Sequence, residues 1–232
     1  MPSKPELLTP TNCQLIIIDQ QPQMAFGVES INRQVLKNNV VALAKSAKVF
    51  NVPTTITTVE TDSFSGHTFP EILAVFPDTP LLERTSMNSW DDQKVRDALA
   101  KNGQKKVVVA GLWTEVCNNM FAFSAMAEGD YEIYMVADAS GGTTQEAHDY
   151  SMQRMVQAGV APVTWQQVLL EWQRDWAHRG TYDAVMDIVR EHSGAYGMGA
   201  DYAYTMVHKA EERVKHGPRL EPVAAGEASA AE

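Results

Sequence analysis

At 232 residues, 44% of them hydrophobic and 21% charged, the chain holds enough apolar material for one full-sized domain with a large core. A net charge of -10 speaks against nucleic acid as a partner, because phosphate binding needs a basic face. No apolar run reaches the length of a membrane span, and Met1-Pro2-Ser3-Lys4-Pro5-Glu6 lacks the apolar core of a secretory signal, so a cytoplasmic location without membrane contact is expected.

Leu15-Ile16-Ile17-Ile18-Asp19 is an apolar run ending in an acid, the pattern of a buried parallel strand whose tip reaches a site. Cys13, just before it, reads as a structural thiol. Residues 31–50 set Ile31, Val35, Val40, Leu43, Ala44 and Ala47 at helical spacing. Residues 54–59 are β-branched throughout and follow Pro53, which predicts a second strand. The Ser-, Gly-, Pro- and Asp-rich stretch 60–80 reads as a surface excursion with at most a short helix. A short third strand is expected over 81–84, and an amphipathic helix over 91–101 that ends before Gly103.

Val107-Val108-Val109-Ala110 predicts a buried strand closed by Gly111, with Thr114 as N-cap of the helix that follows. Residues 131–136 give another strand, 144–158 a helix ended by Gly159, and 162–165 a last short strand. Strands alternating with helices imply an α/β fold with a mostly parallel sheet covered on both faces. From about Thr181 the pattern is helical only, over 182–189 and again over 201–213, with Gly194, Gly197 and Gly199 expected to break the chain between them. The division expected is a main domain over 1–180, a helical C-terminal extension over 181–215 and a disordered Pro-, Ala- and Glu-rich tail over 216–232.

Three strand tips carry reactive side chains: Asp19, Arg84 and Cys117. The tips of neighbouring strands in such a sheet converge on one crevice. A cysteine in the first turn of a helix lies beside free N–H groups and the positive end of the helix dipole, which favours a thiolate. An adjacent cation favours it further, and an acid can accept and return the proton. The bland alternative, a small buried hydrophobe, remains open on these residues alone. The two cysteines form no Cys-x-x-Cys pair and are expected as free thiols of a reducing compartment.

Ile18-Asp19-Gln20-Gln21, the run from Arg84 to Trp90, Gly111-Leu112-Trp113-Thr114-Glu115-Val116-Cys117 and Val136-Ala137-Asp138-Ala139-Ser140-Gly141 together resemble the isochorismatase-like cysteine hydrolases, in their YcaC-like branch, over roughly residues 10–178. The resemblance implies a three-layer α/β/α sandwich with a six-stranded sheet. It also implies a catalytic triad that hydrolyses C–N bonds of small amides through a thioester. Carried over, Asp19 is the general base, Cys117 the nucleophile, and Arg84 stands where the family usually has lysine. A cis peptide before Trp113 would aim the Trp113 and Cys117 N–H groups into an oxyanion hole. Gln21 matches a pocket-lining position, although it serves equally as a turn former. Phe26, Asn88 and Trp90 are candidates for the pocket wall, with core packing an even alternative for the two aromatic residues.

Arginine for lysine is not a conservative change: its fork can hold Asp19 with two hydrogen bonds and so impede proton abstraction, and it cannot itself exchange a proton. No cofactor and no catalytic metal are expected, since the Asp-x-His metal motif of nicotinamidase relatives is replaced by Val59-Glu60-Thr61-Asp62-Ser63 and His67 stands alone. The presence of Cys117 argues against vinyl-ether hydrolysis, because true isochorismatases lack it. The expected partners are a small-molecule substrate and further copies of the chain, as a homo-oligomer. The alternative to an amide hydrolase is a catalytically weak, oligomeric small-molecule-binding protein of the same fold, favoured by Arg84.

Overall fold

The computed structural model describes residues 6–207. Six strands, β1 (Cys13–Ile18), β2 (Thr54–Val59), β3 (Leu81–Arg84), β4 (Lys106–Gly111), β5 (Glu132–Val136) and β6 (Ala161–Val163), form one sheet in the order β3-β2-β1-β4-β5-β6. Every neighbouring pair runs parallel. The order reverses between β1 and β4, where the crossovers diverge to opposite sides and leave a crevice at the carboxyl ends of the strands.

The helices joining them are α1 (Pro22–Phe26), α2 (Arg33–Val49), α3 (Pro70–Val75), α4 (Gln93–Asn102), α5 (Asn119–Gly129), α6 (Gln145–Gln157) and α7 (Trp165–Gln173). Two-residue alternation divides the strands between two cores. Leu15, Ile17, Val108 and Ala110 pack with Leu43 of α2 and Leu169 of α7. Ile16, Ile18, Val107 and Val109 pack with Leu99 of α4 and Phe121 of α5. The result is an α/β/α sandwich. Trp165 and Trp172, at helical spacing along α7, are both core residues.

The helical C-terminal segment is α8 (Arg179–His192) and α9 (Ala195–Tyr202), followed by a π-helical turn over Ala203–Val207. Ala184, Val185, Ile188 and Val189 of α8 belong to the same core cluster as α2. Of the three glycines expected to break the chain here, only Gly194 does so, with a φ of 53°. Gly197 lies inside α9, where a Cβ would stand 2.5 Å from the Val189 carbonyl oxygen, so its lack of a side chain lets α9 close on α8. The last strand ends at Val163 rather than 165, because Thr164 turns to cap α7, its Oγ1 accepting from the Gln167 N–H at 3.3 Å. The helix expected over 201–213 is described only to Val207, and the tail expected over 216–232 lies outside the described residues. Among the described residues no helix is long and apolar enough to cross a membrane.

Candidate active site

β1 delivers the first member of the site. Asp19 follows its last residue with a φ of 52°, a left-handed conformation that aspartate tolerates better than most residues. Its N–H donates to the Thr57 carbonyl of β2 at 3.1 Å, so the backbone stays paired as the chain turns. The carboxylate is fully buried. Arg84, the last residue of β3, donates Nη1 to Oδ1 and Nη2 to Oδ2, both at 2.6 Å, in a bidentate pair. Thr57 Oγ1 adds a third donor to Oδ1 at 3.0 Å. Arg84 reaches further, to the Thr58 carbonyl at 3.1 Å and the Met87 carbonyl at 3.3 Å. Burial opposes the guanidinium charge, but the bonds to Asp19 and its negative charge outweigh that and hold Arg84 more firmly protonated than usual.

The turn after β4 delivers Cys117. The Leu112–Trp113 peptide is cis, and Thr114–Asn118 forms a π-helical turn ahead of α5. Thr114 does not cap it as expected: Trp113 holds the cap position, and Thr114 Oγ1 pairs instead with His148 Nδ1 at 2.9 Å. Cys117 is 2% exposed, and Asp19, Arg84 and the Trp113 N–H all bear on the ionisation of its thiol. Burial is the largest influence on the thiol and pushes its pKa up; Asp19 pushes it further, against the smaller opposing pull of Arg84 and the Trp113 N–H. Against the thiolate favoured by the sequence pattern, burial holds the Cys117 thiol up, its desolvation exceeding what Arg84 and the Trp113 N–H return.

The other residues singled out in the sequence are placed as follows. Gln21 is buried and clamps the chain after β2: its Oε1 accepts from the Val59 N–H at 3.0 Å and its Nε2 donates to the Val59 and Gly66 carbonyls. Trp113 donates Nε1 to the Met24 carbonyl at 2.8 Å and meets the ring of Phe64 edge-on, 6.5 Å between centroids. Phe26 ends α1 with 71% of its surface exposed. Asn88 caps a short 3-10 turn, accepting from the Trp90 N–H at 3.2 Å and donating to Asp91 and Ser124. Trp90 packs edge-on against Phe121 and Tyr131 and donates Nε1 to Glu128 at 2.9 Å. Asp138 shapes its loop by accepting from the Trp165 N–H at 2.8 Å. Glu115 accepts from Thr143 through both its N–H and its hydroxyl. His67 is exposed. Sequence reasoning missed Thr57, His148 and Ser151. Only Thr57 left a trace, as a polar residue in the strand beside β1.

The isochorismatase domain model matches residues 13–167. The probable hydrolase YcaC of Escherichia coli (strain K12) is 36% identical over 170 residues, 73% of this chain and 81% of that one. Its crystal structure, that of an octameric hydrolase of unknown specificity, superposes with a TM-score of 0.83 at 33% identity, over 88% of this chain and all of that one. YcaC of Pseudomonas aeruginosa, solved with hexane-2,5-diol and covalent acrylamide, gives a TM-score of 0.81 at 31% identity, over 86% and 98% of the two chains.

A thiol held up by burial and by Asp19 titrates late. Alkylation of Cys117 by iodoacetamide, followed by mass spectrometry, should keep rising with pH through 9, and Asp19→Asn should move the profile to lower pH by removing a negative neighbour. A plateau reached below pH 8 would show a resting thiolate.

Proposed function

Because the chain belongs to the isochorismatase family of hydrolases, we propose that it cleaves the C–N bond of a small amide through a thioester on Cys117. The observation that carries this reading is a buried Asp19 carboxylate, held in place by Arg84 and Thr57, whose charge bears on the buried thiol of Cys117. Covalent acrylamide in the P. aeruginosa relative lends support, since acrylamide is itself a small amide.

In the first half-reaction Cys117 Sγ bonds to the amide carbonyl carbon as its proton passes to Asp19, and the carbonyl pair moves onto oxygen. The N–H groups of Trp113 and Cys117 receive that oxyanion. The oxyanion collapses, the C–N bond breaks, and Asp19 hands the proton to the departing amine. Water then attacks the thioester, giving its proton to Asp19. The second collapse breaks the C–S bond, releases the carboxylic acid and returns the proton to sulfur. Arg84 keeps its charge throughout and orients Asp19. Cys117→Ala should abolish turnover of every accepted amide and the mass increment of an acyl-enzyme; retained turnover would sink the reading.

The bidentate fork favours a second reading, a weakly catalytic binding protein. It occupies a lone pair on each Asp19 oxygen and leaves less room for the thiol proton. Arg84→Lys removes one of the two bonds. A severalfold rise in kcat in that variant is expected if the fork restrains an active enzyme. Ligand binding unchanged by both Arg84→Lys and Cys117→Ala, with no turnover in any form, would favour the binding protein.

The chain is also read as a homo-oligomer. The E. coli relative is octameric, and Met198, Tyr202, Met206 and Val207 lie exposed along the C-terminal helical segment. Light scattering at micromolar concentration should give a mass several times that of the 25.6 kDa chain, and a monomer would contradict it.

A further inference from the structure

The π-helical turn that carries Cys117 is held from behind by α6. Ser151, 6% exposed, donates Oγ to the Thr114 carbonyl at 3.1 Å. Its hydroxyl has no choice of direction, because its own oxygen accepts from Asn119 Nδ2 at 2.9 Å, and Asn119 is oriented in turn by Arg154 at 3.2 Å. The Thr114 carbonyl also accepts the Asn119 N–H, so both its lone pairs are engaged. The Asn118 N–H, which would take that carbonyl in an α-helical turn, passes over it to the Trp113 carbonyl at 3.3 Å, where the Val116 N–H already sits at 3.1 Å. The Trp113 and Thr114 carbonyls, the α- and 3-10-helical partners of the Cys117 N–H, are thus engaged by others.

We infer that Ser151 is a positioning residue for the oxyanion site: by occupying the Thr114 carbonyl it keeps the nucleophile turn wide and the Cys117 N–H available to a substrate oxygen. The inference rests on the amide-hydrolase reading above. Without the Ser151 hydroxyl, the Asn118 N–H regains Thr114, the turn tightens to α-helical register, and the Trp113 carbonyl recaptures the Cys117 N–H. His148 on the Thr114 side chain and the Gly141 carbonyl on the Thr114 N–H, at 2.9 Å each, fix the other edges of the same residue.

Two Cys117 reagents separate an oxyanion effect from mere access. With acrylamide, sulfur bonds to the β-carbon, the C=C pair shifts to between the α- and carbonyl carbons, the C=O pair moves onto oxygen as an enolate, and the thiol proton taken by Asp19 is returned to the α-carbon as the C=O bond re-forms. With iodoacetamide, sulfur displaces iodide, the C–I bond breaks, Asp19 takes the thiol proton, and no charge develops on oxygen. Losing one oxyanion donor outright costs about 10²–10³ in rate, so a turn that tightens part of the time should cost about tenfold. Ser151→Ala is expected to lower the acrylamide-to-iodoacetamide rate ratio at Cys117 about tenfold, and Ser151→Thr, which keeps the hydroxyl, to restore it. Ser151→Cys, close in volume but a weak donor, gives the same lowered ratio should the alanine variant fail to fold. A wild-type ratio above that of glutathione which these variants leave intact overturns the inference alone. A wild-type ratio no higher than that of glutathione overturns the oxyanion reading and the inference with it.

Discussion

The pair between Asp19 and Arg84 is the constraint from which the site follows. Taking both charges out of water costs several kcal/mol per ion, and only good geometry with full hydrogen bonding offsets it. Here the pair is bidentate, and Thr57, the Thr58 carbonyl and the Met87 carbonyl take up further valences, leaving Arg84 Nε as the one donor of the guanidinium buried without a partner among the described residues. Those partners come from β1, β2, β3 and the chain just after β3, so the ion pair fastens a four-residue edge strand to the centre of the sheet. Removing either partner alone leaves a buried charge unmatched, at about 3–5 kcal/mol. The orientation of the Asp19 carboxylate is therefore set by folding.

The same burial that makes the pair strong makes the thiol reluctant to ionise. A dry crevice strengthens attraction to Arg84 but penalises a bare sulfur anion more, and Asp19 adds to the penalty. In the proposed mechanism charge therefore moves within the site during attack, the proton crossing to Asp19 as the sulfur bonds. A buried thiol of this kind is also poorly placed for adventitious oxidation, which follows thiolate character and exposure.

The sheet and the three strand-tip residues were legible because each rests on local pattern. Residues 15–18, 54–59 and 107–110 are apolar or β-branched runs; Asp19 follows the first, Arg84 ends the short strand 81–84, and Cys117 lies in the turn after the run 107–110. The cis peptide before Trp113 was carried by the resemblance and not by any rule of spacing. The π-helical turn was not legible from local pattern; its Thr114 carbonyl accepts from Ser151, 34 residues beyond Cys117 on a separate helix. The upward push on the thiol was not legible for a similar reason: a helix N-terminus is visible in sequence, but the degree of desolvation is a property of the assembled crevice. Gly197 shows the limit on the helical side, since a glycine that breaks a chain and one that lets helices touch look alike until the partner, the Val189 carbonyl, is known.

The shortest strands of the sheet, β6 with three residues and β3 with four, are also its two edges. β6 carries an exposed Pro162, which has no N–H to offer a neighbouring strand. A sheet closed off in this way presents almost no unpaired ladder for another strand to extend, so continuous intermolecular sheets, and the amyloid-type stacking that begins with them, find little template here. Any contact between copies is thereby left to side chains on the helical layers, whose shape and chemistry can discriminate one partner from another in a way that bare backbone cannot.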